Sequence, residues 1–152
     1  MSKRDITLYI VDIFIAIYKI NDYTKEIKNS SDFLHNELIW DATIRELEII
    51  GESTKHLLND NILPKEYRRV VDFRNQINHA YFGIDENIVW DVIKNKLPTF
   101  ESDLILVIKD LKLDINYAID KIKEDKFFTL KVEKALEVLK SKINQINGKY
   151  EK

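Results

Sequence analysis

Ile6-Thr7-Leu8-Tyr9-Ile10-Val11-Asp12-Ile13-Phe14-Ile15-Ala16-Ile17-Tyr18-Lys19-Ile20 decides the fold class. Ile6, Ile10, Ile13, Ile17 and Ile20 recur in steps of three and four, which stacks them in one stripe of an α-helix. A half-buried strand would alternate apolar and polar residues instead. Leu8, Val11, Phe14 and Ile15 add apolar surface off the stripe. The helix, expected over about Asp5 to Ile27, is therefore buried on more than one side. A dimer interface is one way to bury the second side.

The same periodicity continues outward. Asn29-Ser30-Ser31-Asp32 is a break with N-cap chemistry, and a short turn through Phe33-Leu34 follows. A second helix is expected from about Asn36 to Leu58, with Ile39, Ala42, Thr43, Leu47, Ile50 and Leu57 facing inward. Gly51 lies in its middle. Glycine there costs about 1 kcal/mol relative to alanine, and a close helix–helix approach would explain it. Asn59-Asp60-Asn61 ends this helix, and Pro64 suits the first turn of a third, which carries Tyr67, Val70, Val71 and Phe73 and ends near His79. Gly83 marks a turn. Asp85 is a good N-cap for a fourth helix reaching about Leu111, kinked or restarted at Pro98. In the tail, Val132, Leu136, Leu139, Ile143 and Ile146 form a short heptad-like seam, which Gly148 ends. No strand pattern or internal repeat appears. The expected architecture is an all-α bundle over residues 1–111, followed by a lysine-rich helical extension over 112–152.

Composition narrows the function classes. The chain has 152 residues, enough for one domain with a sizeable core. With 45% hydrophobic residues, three glycines and two prolines, it does not resemble a disordered chain. It has no cysteine, which excludes disulfides and thiolate metal sites. Residues 1–110 hold 14 Lys+Arg against 19 Asp+Glu, whereas residues 111–152 hold 10 against 7. Bulk charge therefore does not make a general nucleic-acid binder, and RNA binding needs a local patch. Asp12 and Lys19 interrupt the N-terminal apolar run and no small-residue cleavage site follows, so no signal peptide is expected. No apolar run approaches the ~20 residues of a membrane helix. The expected location is cytoplasmic, without a membrane.

The chemistry concentrates in Arg74-Asn75-Gln76-Ile77-Asn78-His79-Ala80-Tyr81, followed by Phe82-Gly83-Ile84-Asp85. Arginine grips phosphate through a forked, permanently charged contact, and histidine moves protons near neutral pH. A histidine can take the ribose 2′-OH proton or protonate the leaving 5′-oxygen. An arginine can stabilise charge on the reacting phosphate, and Asn75 can orient either partner. Lys65, Arg68 and Arg69 lie upstream and could guide an RNA backbone. Arg74 and His79, five apart, diverge by about 140° around a straight helix, which favours a composite site between two copies. The bland alternatives are plain. His79 could simply cap a helix C-terminus, Lys65, Arg68 and Arg69 could be a solvated face, and Tyr81 and Phe82 could be core aromatics. Glu46, Glu48, Glu52 and Asp72 read as solvated helix surface. His35 and His56 have no matching ligands, so no metal site is expected.

The stretch Arg74–Asp85 resembles the Arg-Asn-x3-His-x-Tyr-Phe-Gly-Ile-Asp signature of HepT-like HEPN-domain proteins. Asp41-Ala42, Ile44-Arg45 and Leu47-Glu48-Ile49-Ile50-Gly51-Glu52 are similar to that family's second helix, and Ile88-Val89-Trp90-Asp91 with Leu97-Pro98 to its post-turn helix. The likeness covers roughly residues 5–110. It implies a four-helix up-and-down HEPN bundle that dimerises, with the motif at the dimer cleft. It implies a metal-independent, cofactor-free endoribonuclease acting on RNA as the toxin of a toxin–antitoxin pair, partnered by an MntA-like nucleotidyltransferase antitoxin. By position it makes Arg74 and His79 catalytic, Asn75 supporting, and Tyr81 the acceptor of AMP that silences the toxin. Ala80 stands where the family often has glycine. The competing reading is a non-catalytic helical partner, or modification substrate, of such a nucleotidyltransferase.

Overall fold

The computed structural model describes residues 1–79 and 83–150. Among these residues every regular element is helical and no strand forms. The elements are α1 (Lys3–Thr24), α2 (Ser30–His35), α3 (Glu37–Asn59), a 3₁₀ turn (Lys65–Tyr67), α4 (Arg68–His79), α5 (Glu86–Asp91), a π-helical turn (Val92–Lys96), α6 (Leu97–Asp110), α7 (Ile115–Lys123) and α8 (Leu130–Tyr150).

The helix starts follow from local side chains that satisfy free N–H groups. Ser2 accepts from Asp5 N, Asn29 from Asp32 N, Asn36 from Ile39 N, Asp85 from Asn87 N, and Asp114 from Asn116 N and Tyr117 N. The expected short turn at Phe33-Leu34 is a full helix, α2, because Asn29 caps it. Phe33 is its anchor. It is fully buried and packs against Trp40 and Trp90, with ring centroids 4.8 Å and 5.5 Å away. The expected fourth helix is broken ahead of Pro98. Leu97 N–H bonds Val92 O, five residues back, and Pro98 then occupies the first turn of α6. The missing proline N–H is harmless in a first turn, and the π-helical register supplies the offset just before it.

The helical tail is made of two helices, α7 and α8, and α8 runs through Gly148, the expected end of the seam, to Tyr150. Val132, Leu136 and Leu139 of α8, with Ala118 and Ile119 of α7, join the same apolar cluster as Ile10, Ile13 and Ile17 of α1. Lys142 of α8 pairs with the buried Glu101 of α6. Both sides of α1 are thereby covered within one chain. It packs against α3, α6, α7 and α8, so its apolar breadth does not itself call for a dimer.

α4 lies chiefly on α3 and on the 3₁₀ turn before it. Gly51, buried in α3, is where the two helices cross. A Cβ at Gly51 would overlap Arg74 Cβ and fall 2.5 Å from Arg74 Cγ. Cβ is the first atom off the α4 backbone, so no rotamer change moves it away and α4 itself must shift. Overpacking costs about 1–3 kcal/mol, against about 1 kcal/mol that alanine gains over glycine in a helix. Gly51→Ala is therefore expected to lower the melting temperature. An unchanged or higher melting temperature in a thermal scan would show that α4 accommodates the methyl group freely.

Candidate active site

The candidate site is built on α4 and the face of α3 beneath it. Tyr67, Val71 and Ile77 are buried and fix the rotation of this segment. That rotation leaves Asp72, Asn75, Gln76 and His79 exposed. Arg68, Asn75 and His79 are seven and four residues apart, which places them in one stripe. Lys65 and Arg69 are also exposed, but Arg69 is off this stripe. It lines an apolar cavity of about 330 Å³ with Tyr67, Phe73, Leu97 and Phe100.

Arg74 points the other way, toward α3. Its Nη2 is 3.0 Å from Glu52 Oε2, and its Nη1 donates to Asn75 Oδ1 at 3.1 Å. Asn78, with its amide oxygen turned to Arg74, accepts from Nε at 3.1 Å and donates to Glu48 Oε1 at 3.2 Å. Glu48 is also 3.6 Å from Arg45 Nη1. Three guanidinium nitrogens thus have oriented partners, and the Arg74 side chain remains 25% exposed. Glu52 Oε1 also lies 3.6 Å from His56 Nε2, and the His56 ring stacks on Tyr9 at 4.5 Å.

The structure brings Asn75 to Arg74 and leaves His79, which shares the Asn75 stripe, without a hydrogen bond to either. His79 ends α4 on the solvent stripe, with no ion-pair or hydrogen-bond partner among the described residues. Tyr81, the expected modification site, lies outside the described residues. Of the carboxylates assigned to solvated surface, Glu46 is instead buried beside Lys19 at 3.9 Å, whereas Glu52 stays half-exposed and pairs with Arg74. Burial pushes the Glu46 carboxyl above its ordinary range, while Lys19 and Arg45 pull it partway back. Asn78 meets Arg74 as their four-residue spacing on one helix allows, whereas Glu48 and Glu52 escape a reading based on single-helix spacing because their partners sit on another helix. Gly51 was the available signal. A glycine that admits a crossing helix brings its neighbour Glu52, and Glu48 one turn earlier, against that helix.

Among the described residues no cluster of three His, Asp or Glu side chains is placed to hold a metal ion, and no helix is long and apolar enough to cross a membrane. The arrangement offers an oriented guanidinium and an exposed imidazole on one short helix, a pairing suited to phosphate binding and proton transfer.

Comparison with known proteins agrees with that chemistry. The family model described as "Ribonuclease HepT-like" matches residues 13–107. The protein named "Putative RNase MJ1380" from Methanocaldococcus jannaschii is 34% identical over 110 residues, covering 70% of this chain and 100% of that protein. "Probable ribonuclease HepT" from Thermococcus cleftensis is 37% identical over 102 residues, covering 65% and 92% respectively. "Gamma-glutamylcyclotransferase and putative RNase MJ0434", also from Methanocaldococcus jannaschii, is 29% identical over 164 residues. That alignment takes in 99% of this chain, so it continues through α7 and α8, and it takes in 69% of the relative. No solved structure matches this chain significantly. The family match spans α3, α4 and the seat of Arg74, and the chain belongs to the HepT-like ribonuclease family.

Proposed function

We propose that this protein is a metal-independent endoribonuclease, the toxin of a toxin–antitoxin pair, and that its Arg-x4-His segment is the catalytic motif. The observation that carries the reading is the oriented Arg74 on the same short helix as an exposed His79, in a chain of ribonuclease family. His79 accepts the proton of a ribose 2′-OH as that oxygen attacks the adjacent phosphorus. The bond to the 5′-oxygen breaks, water protonates that oxygen as it leaves, and a 2′,3′-cyclic phosphate remains. Arg74 stabilises the charge gathering on the non-bridging oxygens, and Asn75 helps to hold the guanidinium. Arg68, on the His79 stripe, attracts the flanking phosphates, with Lys65 and Arg69 adding to the local field.

Purified His79→Ala and Arg74→Ala proteins are expected to lose about 10²–10⁴-fold in RNA cleavage, with helical content kept. EDTA should leave wild-type cleavage unchanged. Undiminished cleavage by both folded variants, or activity abolished by EDTA and restored by a divalent ion, would remove the assignment.

The working unit is proposed to be a homodimer that forms the cleft from two α4 helices. Its support is the divergence of the two groups: Arg74 turns to α3 while His79 faces solvent. If one cleft takes Arg74 from one protomer and His79 from its partner, mixing the inactive Arg74→Ala and His79→Ala proteins restores about a quarter to a half of wild-type activity. A monomer by light scattering at micromolar concentration, or no recovery on mixing, would argue against shared clefts.

Control is proposed to fall on Tyr81, through an MntA-like nucleotidyltransferase. The Tyr81 hydroxyl attacks the α-phosphorus of ATP, pyrophosphate leaves, and AMP remains on the phenol. The added phosphate competes for Arg74 with the substrate, as a phosphoryl group would. Mass spectrometry after co-expression with the cognate nucleotidyltransferase should find AMP on Tyr81 and none on Tyr81→Phe, which should stay toxic. Adducts confined to other tyrosines would refute the placement.

A further inference from the structure

We propose that Glu52 is a positioning residue for Arg74, acting with Asn78 to hold the guanidinium where it meets the RNA phosphate. The proposal rests on the ribonuclease reading and adds to it a part for α3, which carries neither motif residue. Three observations converge. Gly51 lets the Arg74 stem lie directly on α3, so Cβ and Cγ are fixed by contact. The next residue, Glu52, takes Nη2 at 3.0 Å. Asn78 takes Nε at 3.1 Å and is itself anchored to Glu48 at 3.2 Å. Stem and head are therefore both fixed from α3.

The donor count shows what this leaves. A guanidinium has five N–H donors. Asn75 and Asn78 take one each from Nη1 and Nε, and Glu52 faces Nη2 as an ion pair at 3.0 Å. At least one donor is left on each Nη, enough for the two oxygens of a phosphate. A long arginine side chain without such restraint samples many rotamers, and a displacement of about 1 Å at a reacting centre can cost about 10²-fold in rate. A competing role is electrostatic damping, in which the Glu52 carboxylate opposes phosphate binding. The two roles differ in sign. Positioning needs an acceptor oxygen at Glu52, whereas damping needs its charge.

Glu52→Gln keeps the acceptor and removes the charge, and Glu52→Ala removes both. With a short single-stranded RNA oligonucleotide, Glu52→Ala should lower kcat by about 10- to 100-fold with KM changed less than about 3-fold, and Glu52→Gln should recover most of the loss. The Arg74 Nε–Hε resonance, assigned by its disappearance in Arg74→Lys, should stand apart from the other arginines in wild type and Glu52→Gln. In Glu52→Ala it should merge with them. Wild-type kcat in Glu52→Ala, faster cleavage or tighter RNA binding in either variant, or an Arg74 resonance unmoved in Glu52→Ala would overturn the proposal. If the wild type cleaves no RNA, that failure falls on the ribonuclease reading, and the resonance alone then decides the role of Glu52.

Discussion

The crossing of α4 over Gly51 is the constraint on which the candidate site depends. α4 is a 12-residue helix with only Val71 and Ile77 buried along its own length. A helix so short and so polar is marginal by itself and takes its stability from tertiary packing. That packing is chiefly on α3, and the missing Cβ at Gly51 sets how close the two backbones come. A more distant crossing would carry Arg74 away from Glu52 and Asn78 away from Glu48. The apolar cavity that Tyr67, Phe73 and Phe100 line with Leu47 and Ile50 of α3 opens beside this crossing. The seat of Arg74 itself depends on α3.

That dependence on a second helix explains what the sequence reveals and what it hides. Helix content is legible because Ile6, Ile10, Ile13, Ile17 and Ile20 can share a face only at helical spacing. Caps at Asn29 and Asp85 are legible because the N-terminal N–H groups are satisfied within three residues. The close approach at Gly51 is legible because glycine is costly in mid-helix without a packing reason. The α3 carboxylates beneath α4 are not legible in that way. Glu48 and Glu52 carry the same residue types as any solvated helix face, and only the crossing of a second helix decides that Glu52 meets Arg74 and Glu48 meets Asn78. Glu46 escapes for a related reason. Its burial comes from the neighbouring packing of α1 and α3, where Lys19 lies 3.9 Å away.

The tail illustrates a different limit. Its seam of Val132, Leu136 and Leu139 is readable as apolar periodicity, but periodicity does not name the surface it meets. In the structure that surface is α1. The extra apolar residues of α1, which on sequence grounds could have faced a second copy, are covered from within the chain. Lys142 adds direction to the contact. Glu101 is only 8% exposed, and a buried carboxylate without a partner would be costly. The ion pair therefore fixes where α8 lies along α6 as much as it strengthens it.

The case for a second molecule at the site then rests on geometry alone. Arg74 is tied to α3 by Glu52 and Asn78. His79 stands about 140° further around α4 and faces solvent. One phosphate cannot reach both groups on a straight helix while the Arg74 clamp stays closed. Either the guanidinium leaves Glu52 to follow the substrate, or another body brings a histidine to the exposed edge of Arg74. The first route gives up contacts to both Glu52 and Asn78 for each phosphate bound. The second keeps them, because Nη1 and Nη2 each retain a donor beyond those contacts. A seat built from residues of two helices is more economically explained by the route that leaves it intact.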